Sequence, residues 1–513
     1  MLQKFRQFLT WITGAKKDEQ PLVLLCFLAI FLLLVSYYIV KPMRNSQFLK
    51  EFPPNYKPFF FLISAIFSLL FTKVFNYFFV RVNMHRLLSY TFLTMIGFKL
   101  LFSIIFSMQY QQWAVIAFYF WASSYFLLCI SITWGAVNYL FSPEQSRRCF
   151  GFIAIGATLG AWIGAPLTKL LIENSLRDYL LVVSASVMFL TMFFMAKAAK
   201  LTMIHDKNNQ SKFDTDSGVI NESKPNSSMI RDFIKLFKHH YARCLAIMVF
   251  ALAVSNTILD FQSDPIIDTE VASRSYLSAF EDVNTLLNSA DNLQINSAGF
   301  DFVYGYKFQS IENRPKYISD FLQKNPELNG FTVEEIQNKF KEFKSSNYDQ
   351  MGIFYSTTYS LQNVLGLFLL LLARIIFKFL SVRFAIMLLP LFFLGAGSLL
   401  NLDIGLEIIQ ILMVVGGALN YSINNVTKEV LYTPTSKETK GKLKAIIDGP
   451  MMRIGDLFAS VIKILLVVFL GEVLYANAFL TVGLLVILIW ISSVWYAAGI
   501  YQKSQATGST LTI

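Results

Sequence analysis

The sequence is short of charge. Only 15% of its 513 residues are Asp, Glu, Lys or Arg, where a soluble chain carries about 25%. It has no G-x-x-x-x-G-K-[ST] loop, which excludes a P-loop motor in this chain. It has no H-E-x-x-H. Its four histidines, His85, His205, His239 and His240, all fall in expected loops, so no histidine relay crosses a membrane. The four cysteines, Cys26, Cys129, Cys149 and Cys244, show neither CxxC nor zinc spacing and read as small apolar packing residues. No cofactor and no metal are expected. The ten-residue alternation of an outer-membrane barrel is also missing.

Long apolar runs are what the sequence does contain. It is 55% hydrophobic with 50 Phe and a mean hydropathy of +0.51. The fold class is therefore an all-α polytopic membrane protein. Twelve spans are expected. The first six lie near 21–46, 57–79, 87–108, 112–140, 151–173 and 179–197. The second six lie near 243–262, 352–378, 383–401, 404–426, 446–470 and 474–499. The run from 21 to 40 is too long for a signal-peptide core and stays as the first span.

The net charge of +11 does not point to nucleic acid. Lys and Arg concentrate in alternate short loops, including Arg81, Arg86, Arg147, Arg148, Lys378, Arg383, Lys437, Lys440, Lys442 and Lys444. The loops at 109–112, 401–404 and 471–473 are nearly free of them. This is the positive-inside pattern. It sets both termini in the cytoplasm of a bacterial inner membrane.

The expected domains are a six-helix half at 1–197, a polar cytoplasmic linker at 198–242, a seventh span at 243–262, a soluble extracytoplasmic insertion at 263–350, spans eight to twelve at 351–500, and a cytoplasmic tail at 501–513. Two six-span halves around a cytoplasmic linker are the layout of the major facilitator fold. An internal echo supports the division. Phe141-Ser-Pro143 and Tyr432-Thr-Pro434 each follow the fourth span of a half and each precede cations and a Gly-bearing helix. The insertion holds 14 acidic and 8 basic residues. Helices are expected at 275–288, 316–324 and 333–345, and the insertion reads as inert, as a cap, or as a partner-binding module.

The stripe Gly156-x-x-x-Gly160-x-x-x-Gly164 is expected to let two helices approach closely. The ionisable residues of the spans carry the functional argument, because charge at membrane depth is costly. Lys41 and Arg44 close the first span, and Pro42 between them is expected to kink or break it. Either the two cations snorkel to headgroups or they face a polar cavity. Lys99 and Lys463 lie near mid-span with no local carboxylate, and such cations on a shared cavity would suit an anion. Tyr37, Tyr38, Tyr125 and Trp134 are candidate stacking faces. Arg453 and Asp456, three apart, read as a structural pair. Arg374 and Lys378 are expected to snorkel and Glu407 to be solvated.

At these residues the chain resembles the bacterial and plastidic nucleotide transporter family, the ATP/ADP antiporters. Tyr38-Ile-Val-Lys-Pro-Met-Arg-Asn-Ser is similar to the family's first-span segment. Lys428-Glu-Val-Leu-Tyr-Thr-Pro434, with Gly441-Lys442 and Asp448, resembles its Lys-Glu-Met-x-Tyr-x-Pro and Gly-Lys-x-x-x-Asp stretch, the more specific of the two. The segment 141–160 is also similar. The resemblance implies proton-independent exchange of ATP for ADP, with span cations holding phosphates. By position Arg44 matches a first-span lysine, Lys428 a tenth-span lysine and Asp260 a seventh-span glutamate. Asn45 stands where an aspartate is usual, and Tyr139 where the family has a glutamate, so the chain is a divergent member.

The leading expectation is an alternating-access transporter of nucleotides or similar phosphorylated anions, and not an enzyme. Arg44 and Lys428 are the first phosphate-binding candidates, with Lys41, Lys99 and Lys463 behind them. Asp260 and Asp456 are the charge partners. Its partners are an anionic small molecule and the lipid bilayer, with no nucleic acid. A proton-coupled transporter using Asp260 or Asp456 is the alternative. A non-transporting receptor or assembly protein working through 263–350 is the third reading.

Overall fold

A computed structural model describes residues 13, 15–16, 18–79, 84–108, 111–208, 237–288, 295–306, 309, 313–400, 402, 404–435, 443 and 447–507. The first half comprises α1 (Gln20–Glu51), α2 (Lys57–Phe79), α3 (Met84–Ser107), α4 (Gln111–Leu140), α5 (Pro143–Glu173) and α6 (Leu180–Asn208). The second begins with α7 (His240–Ala279), then α8 (Glu281–Leu287), α9 (Ser297–Tyr306) and α10 (Arg314–Lys324). It continues with α11 (Val333–Phe379), α12 (Val382–Leu399), α13 (Leu406–Leu419), a π-turn at Asn420–Asn424, α14 (Asn425–Leu431) and α15 (Met452–Thr507). Eleven segments among the described residues are long and apolar enough to cross a membrane. Helix α2 takes the place expected for the second span. The protein is an all-α polytopic membrane protein.

Helix α1 is buried over most of its surface and packs on α4, α5, α6 and α11. The glycine stripe of α5 faces it. A Cβ on Gly160 would lie 2.1 Å from the Phe31 carbonyl oxygen, and one on Gly164 would lie 2.7 Å from that of Val35. Only glycine permits this approach of the two backbones.

The break expected at Pro42 is absent. Helix α1 runs on to Glu51 with Pro42 inside it. Proline leaves the Tyr38 carbonyl without its usual donor. The Thr168 hydroxyl of α5 lies 3.4 Å from the Tyr38 oxygen and 3.1 Å from its own Gly164 carbonyl, so its one proton is shared between them. Such borrowed donors keep a proline tolerable in a membrane helix.

Helices α7 and α11 continue far past the expected span limits of 262 and 352. At ~1.5 Å per residue they reach about 60 and 70 Å, against a hydrocarbon core of ~30 Å. Their extensions carry the insertion. The expected helix at 275–288 is the end of α7 plus α8. The expected helix at 333–345 is the start of α11, fixed by a Thr332–Glu335 capping box. Helix α9 was not expected. A separate apolar core joins these pieces, with Phe280, Phe302, Tyr306, Ile318, Ile336 and Phe340 buried in it. At the far end, Gly471 turns the chain with φ 72°, a conformation that favours glycine.

Replacing Gly160 by alanine forces the new methyl into the α1 backbone. An overpacking cost of about 1–3 kcal/mol is expected, seen as a lower melting temperature in detergent. Gly97→Ala, where nothing lies within 4 Å, should leave it unchanged.

Candidate central anion site

Helix α1 places Lys41 and Arg44 against α11 and α4 at the middle of the molecule. The Lys41 ammonium lies 3.8 Å from the ring centroid of Tyr359 and 5.2 Å from that of Tyr38. A desolvated contact of this kind is worth about 2 kcal/mol. Arg44 donates from Nε and Nη2 to the Asn45 amide oxygen at 3.2 and 3.1 Å. Its Nη1 donates to Ser123 Oγ at 3.3 Å, and the guanidinium lies 5.2 Å from the Tyr119 ring centroid. Neither cation forms an ion pair among the described residues.

Two hydrogen bonds cross from α1 to α11 here. Asn45 Nδ2 donates to Tyr359 OH at 2.9 Å, and Tyr38 OH donates to Asn363 Oδ1 at 3.4 Å. Tyr421 stands on the π-turn and shares the electrostatic neighbourhood of Tyr37, Tyr38, Tyr359 and Asp260. It is 55% exposed. A π-turn inside a span re-aims side chains and often marks a functional site.

Asp260 of α7 is half-buried and lies in the field of Lys57, Lys41 and Arg44. It forms no ion pair among the described residues. One helical turn on, Asp264 does. The Lys57 ammonium meets its carboxylate at 2.5 Å, with side-chain exposures of 6% and 3%, and Tyr355 OH donates to the other oxygen at 3.3 Å. Sequence reasoning missed both residues. Lys57 opens α2 and resembled a loop cation, and Asp264 fell inside the soluble insertion. The signal was the four-residue spacing from Asp260, which puts Asp264 on the same helical face.

The remaining candidates are dispersed. Lys99 is fully buried inside the first half, donating to Ser36 Oγ at 2.5 Å, Ser184 Oγ at 2.7 Å and Tyr125 OH at 3.0 Å. Lys463 is buried in the second half, donating to the Phe261 carbonyl at 3.2 Å. Lys428 lies at the end of α14 and pairs with Asp448 at 3.3 Å, where Tyr432 OH also donates. Arg453 and Asp456 pair at 3.3 Å, and Thr257 donates to the same carboxylate at 3.0 Å. Trp134 packs edge-on against Phe150, and Tyr125 belongs to the Lys99 cage. Glu407 is exposed. The side chains of Arg147 and Arg374 lie outside the described residues. The structure therefore brings Lys41, Arg44 and Asp260 together, with Arg453 and Asp456 nearby, and holds Lys99, Lys463 and Lys428 elsewhere.

The two ends of the bundle differ. On the face carrying the insertion, ion pairs join the halves: Lys57 with Asp264, Lys344 with Glu51, and Arg177 with Asp349. On the opposite face the described pairs, Glu19 with Arg148 and Lys428 with Asp448, stay within one half. Burial favours the neutral Glu19 carboxyl, but donors from the Lys16 backbone, Arg148 and Gln145 win and hold its pKa below the ordinary value.

Residues 353–501 match the model of the TLC ATP/ADP transporter family. The match begins within α11 and ends within α15. Its fold is shared by the nucleoside transporter NupG, with a TM-score of 0.51 at 12% identity, covering 95% of this chain and 100% of that one. A point mutant of NupG gives 0.51 at 11% identity, covering 94% and 99%. At such identity the likeness concerns the fold alone. No curated protein matches the sequence.

Removing one partner of the Lys57–Asp264 pair strands a buried charge. Lys57→Ala and Asp264→Ala should each cost about 3–5 kcal/mol, while Lys57→Met with Asp264→Leu should be close to neutral. Thermal unfolding of the four proteins in detergent measures this.

Proposed function

We propose that the protein exchanges nucleotides, most concretely ATP for ADP, or a similar phosphorylated anion by alternating access. The observation that carries the reading is the state of Lys41 and Arg44. Both stand between the halves, oriented by rings, an amide and a hydroxyl rather than by a carboxylate. A desolvated cation without a counter-ion favours an anionic ligand. Arginine offers a phosphate two donors in a fork, and lysine a point charge. Tyr38, Tyr359 and Tyr421 present ring faces beside them, and stacking a base is worth about 1–3 kcal/mol.

In this reading Asp260 balances Lys41 and Arg44 when substrate is absent and yields them when it binds. Lys428 serves the mouth of the site, released from Asp448 as the anion passes. Lys99 and Lys463 add positive potential from inside the halves. Asp456 holds Arg453 in place. The cation-rich loops put the termini and the linker in the bacterial cytoplasm and the insertion outside the inner membrane.

Intact bacteria expressing the protein should take up radiolabelled ATP, faster with internal ADP and unaffected by an uncoupler. Arg44→Ala and Lys41→Ala should each lower uptake by about tenfold or more, as expected for a charged hydrogen bond worth 1.5–3 kcal/mol. No uptake of any nucleotide by well-expressed protein overturns the proposal. Uncoupler-sensitive uptake of another solute, lost in Asp260→Asn or Asp456→Asn, establishes the proton-coupled alternative.

A further inference from the structure

The insertion and the gating helices are one mechanical body. Helices α7 and α11 enter it without interruption. Its apolar core fuses their ends, with the Tyr306 and Phe340 rings stacked at 3.5 Å and Phe302 and Phe321 at 3.7 Å. Tyr304 OH also donates to Asp268 Oδ2 at 2.7 Å, one turn beyond Asp264. The same two helices carry Asp260 and Tyr359 in the central site. From Asp349 to Tyr359 is about 15 Å along the helix axis, so a rigid rod links the two regions.

One face of that rod docks on the first half. Lys344 donates to both Glu51 oxygens at 3.2 Å, and Glu51 is buried. Arg177, in the turn between α5 and α6, directs one nitrogen, Nη1, at both Asp349 oxygens at 3.0 and 3.1 Å and at Ser345 Oγ at 2.9 Å. Tyr348 lies between Lys50 and Arg177, with ring centroids 5.2 and 5.5 Å from them. Residues 344, 345, 348 and 349 form a single helical stripe. An isolated surface pair contributes at most about 1 kcal/mol. This contact is a network of two ion pairs with a buried glutamate, which is the exception to that rule.

We propose that the insertion is a latch. Docking of residues 344–349 on Glu51 and Arg177 holds the insertion face shut, and the halves separate there only when the whole insertion swings away with α7 and α11. The latch does not depend on which solute is carried.

The test uses full-length protein in lipid nanodiscs, with Cys244 replaced by serine and spin labels at Glu173→Cys and Glu334→Cys, both exposed. The other three native cysteines are buried. Dipolar distance measurements on the latched protein should give one dominant short distance. Lys344→Glu and Arg177→Ala, made separately, should each raise the ratio of long to short distances about tenfold, the shift expected from losing a partly buried pair. The swap Lys344→Glu with Glu51→Lys should bring the ratio back to within about twofold of the parent, because it restores the same pair. Unchanged distributions in both single variants overturn the latch, as does a swap that fails to restore the short distance. Neither result bears on nucleotide exchange, which the uptake assay judges separately.

Discussion

Lys57 and Asp264 meet at 2.5 Å where almost no water reaches either. One belongs to the first half and the other to the second. Two opposite charges in low dielectric are held far more firmly than at a surface, and each is costly to leave alone. The geometry around the site follows from that pair. It fixes α7 against the start of α2, takes Asp264 out of play, and leaves Asp260, one turn deeper, as the carboxylate in the field of Lys41 and Arg44. An acid that is not already paired is the kind of group that can exchange partners during a transport cycle.

The interior cations divide by what surrounds them. Lys99 sits in a cage of hydroxyls supplied by α1, α4 and α6. Those dipoles take the place of water and cross-link three helices of one half. Lys463 does similar work in the other half with a backbone carbonyl and the rings of Phe261 and Tyr475. Lys41 differs because its main partner, Tyr359, is on the opposite half. Its environment must change when the halves move. Burial alone does not separate a framework cation from a site cation. Whether the partners share its half does.

The spans were legible in the sequence because a bilayer demands long apolar runs. The glycine stripe was legible for the same reason: four-residue spacing of the smallest residue has one physical use in a span. What composition concealed was continuity. A change from apolar to polar residues at 263 and before 352 looks like the end of a helix, yet helical geometry does not depend on hydropathy, and α7 and α11 run through both boundaries. That hid Asp264, and with it the pair to Lys57. Pro42 misled in the opposite direction. Its missing donor is a local property, whereas the remedy at Thr168 comes from another helix. The dispersal of Lys99 and Lys463 was equally beyond reach, since a span position gives depth but not the direction of a side chain.

Asn45 shows how the site can keep its charge. A carboxylate at this position would orient Arg44 and at the same time neutralise it. The amide oxygen accepts two donors from the guanidinium without cancelling its charge. The amide nitrogen is then free to donate, and it donates across the boundary to Tyr359. Tyr359 in turn carries Lys41 on its ring face. One neutral residue therefore positions both cations, one directly and one through the opposite half. That single amide therefore links the guanidinium of the first half to the helix of the second half that carries the insertion.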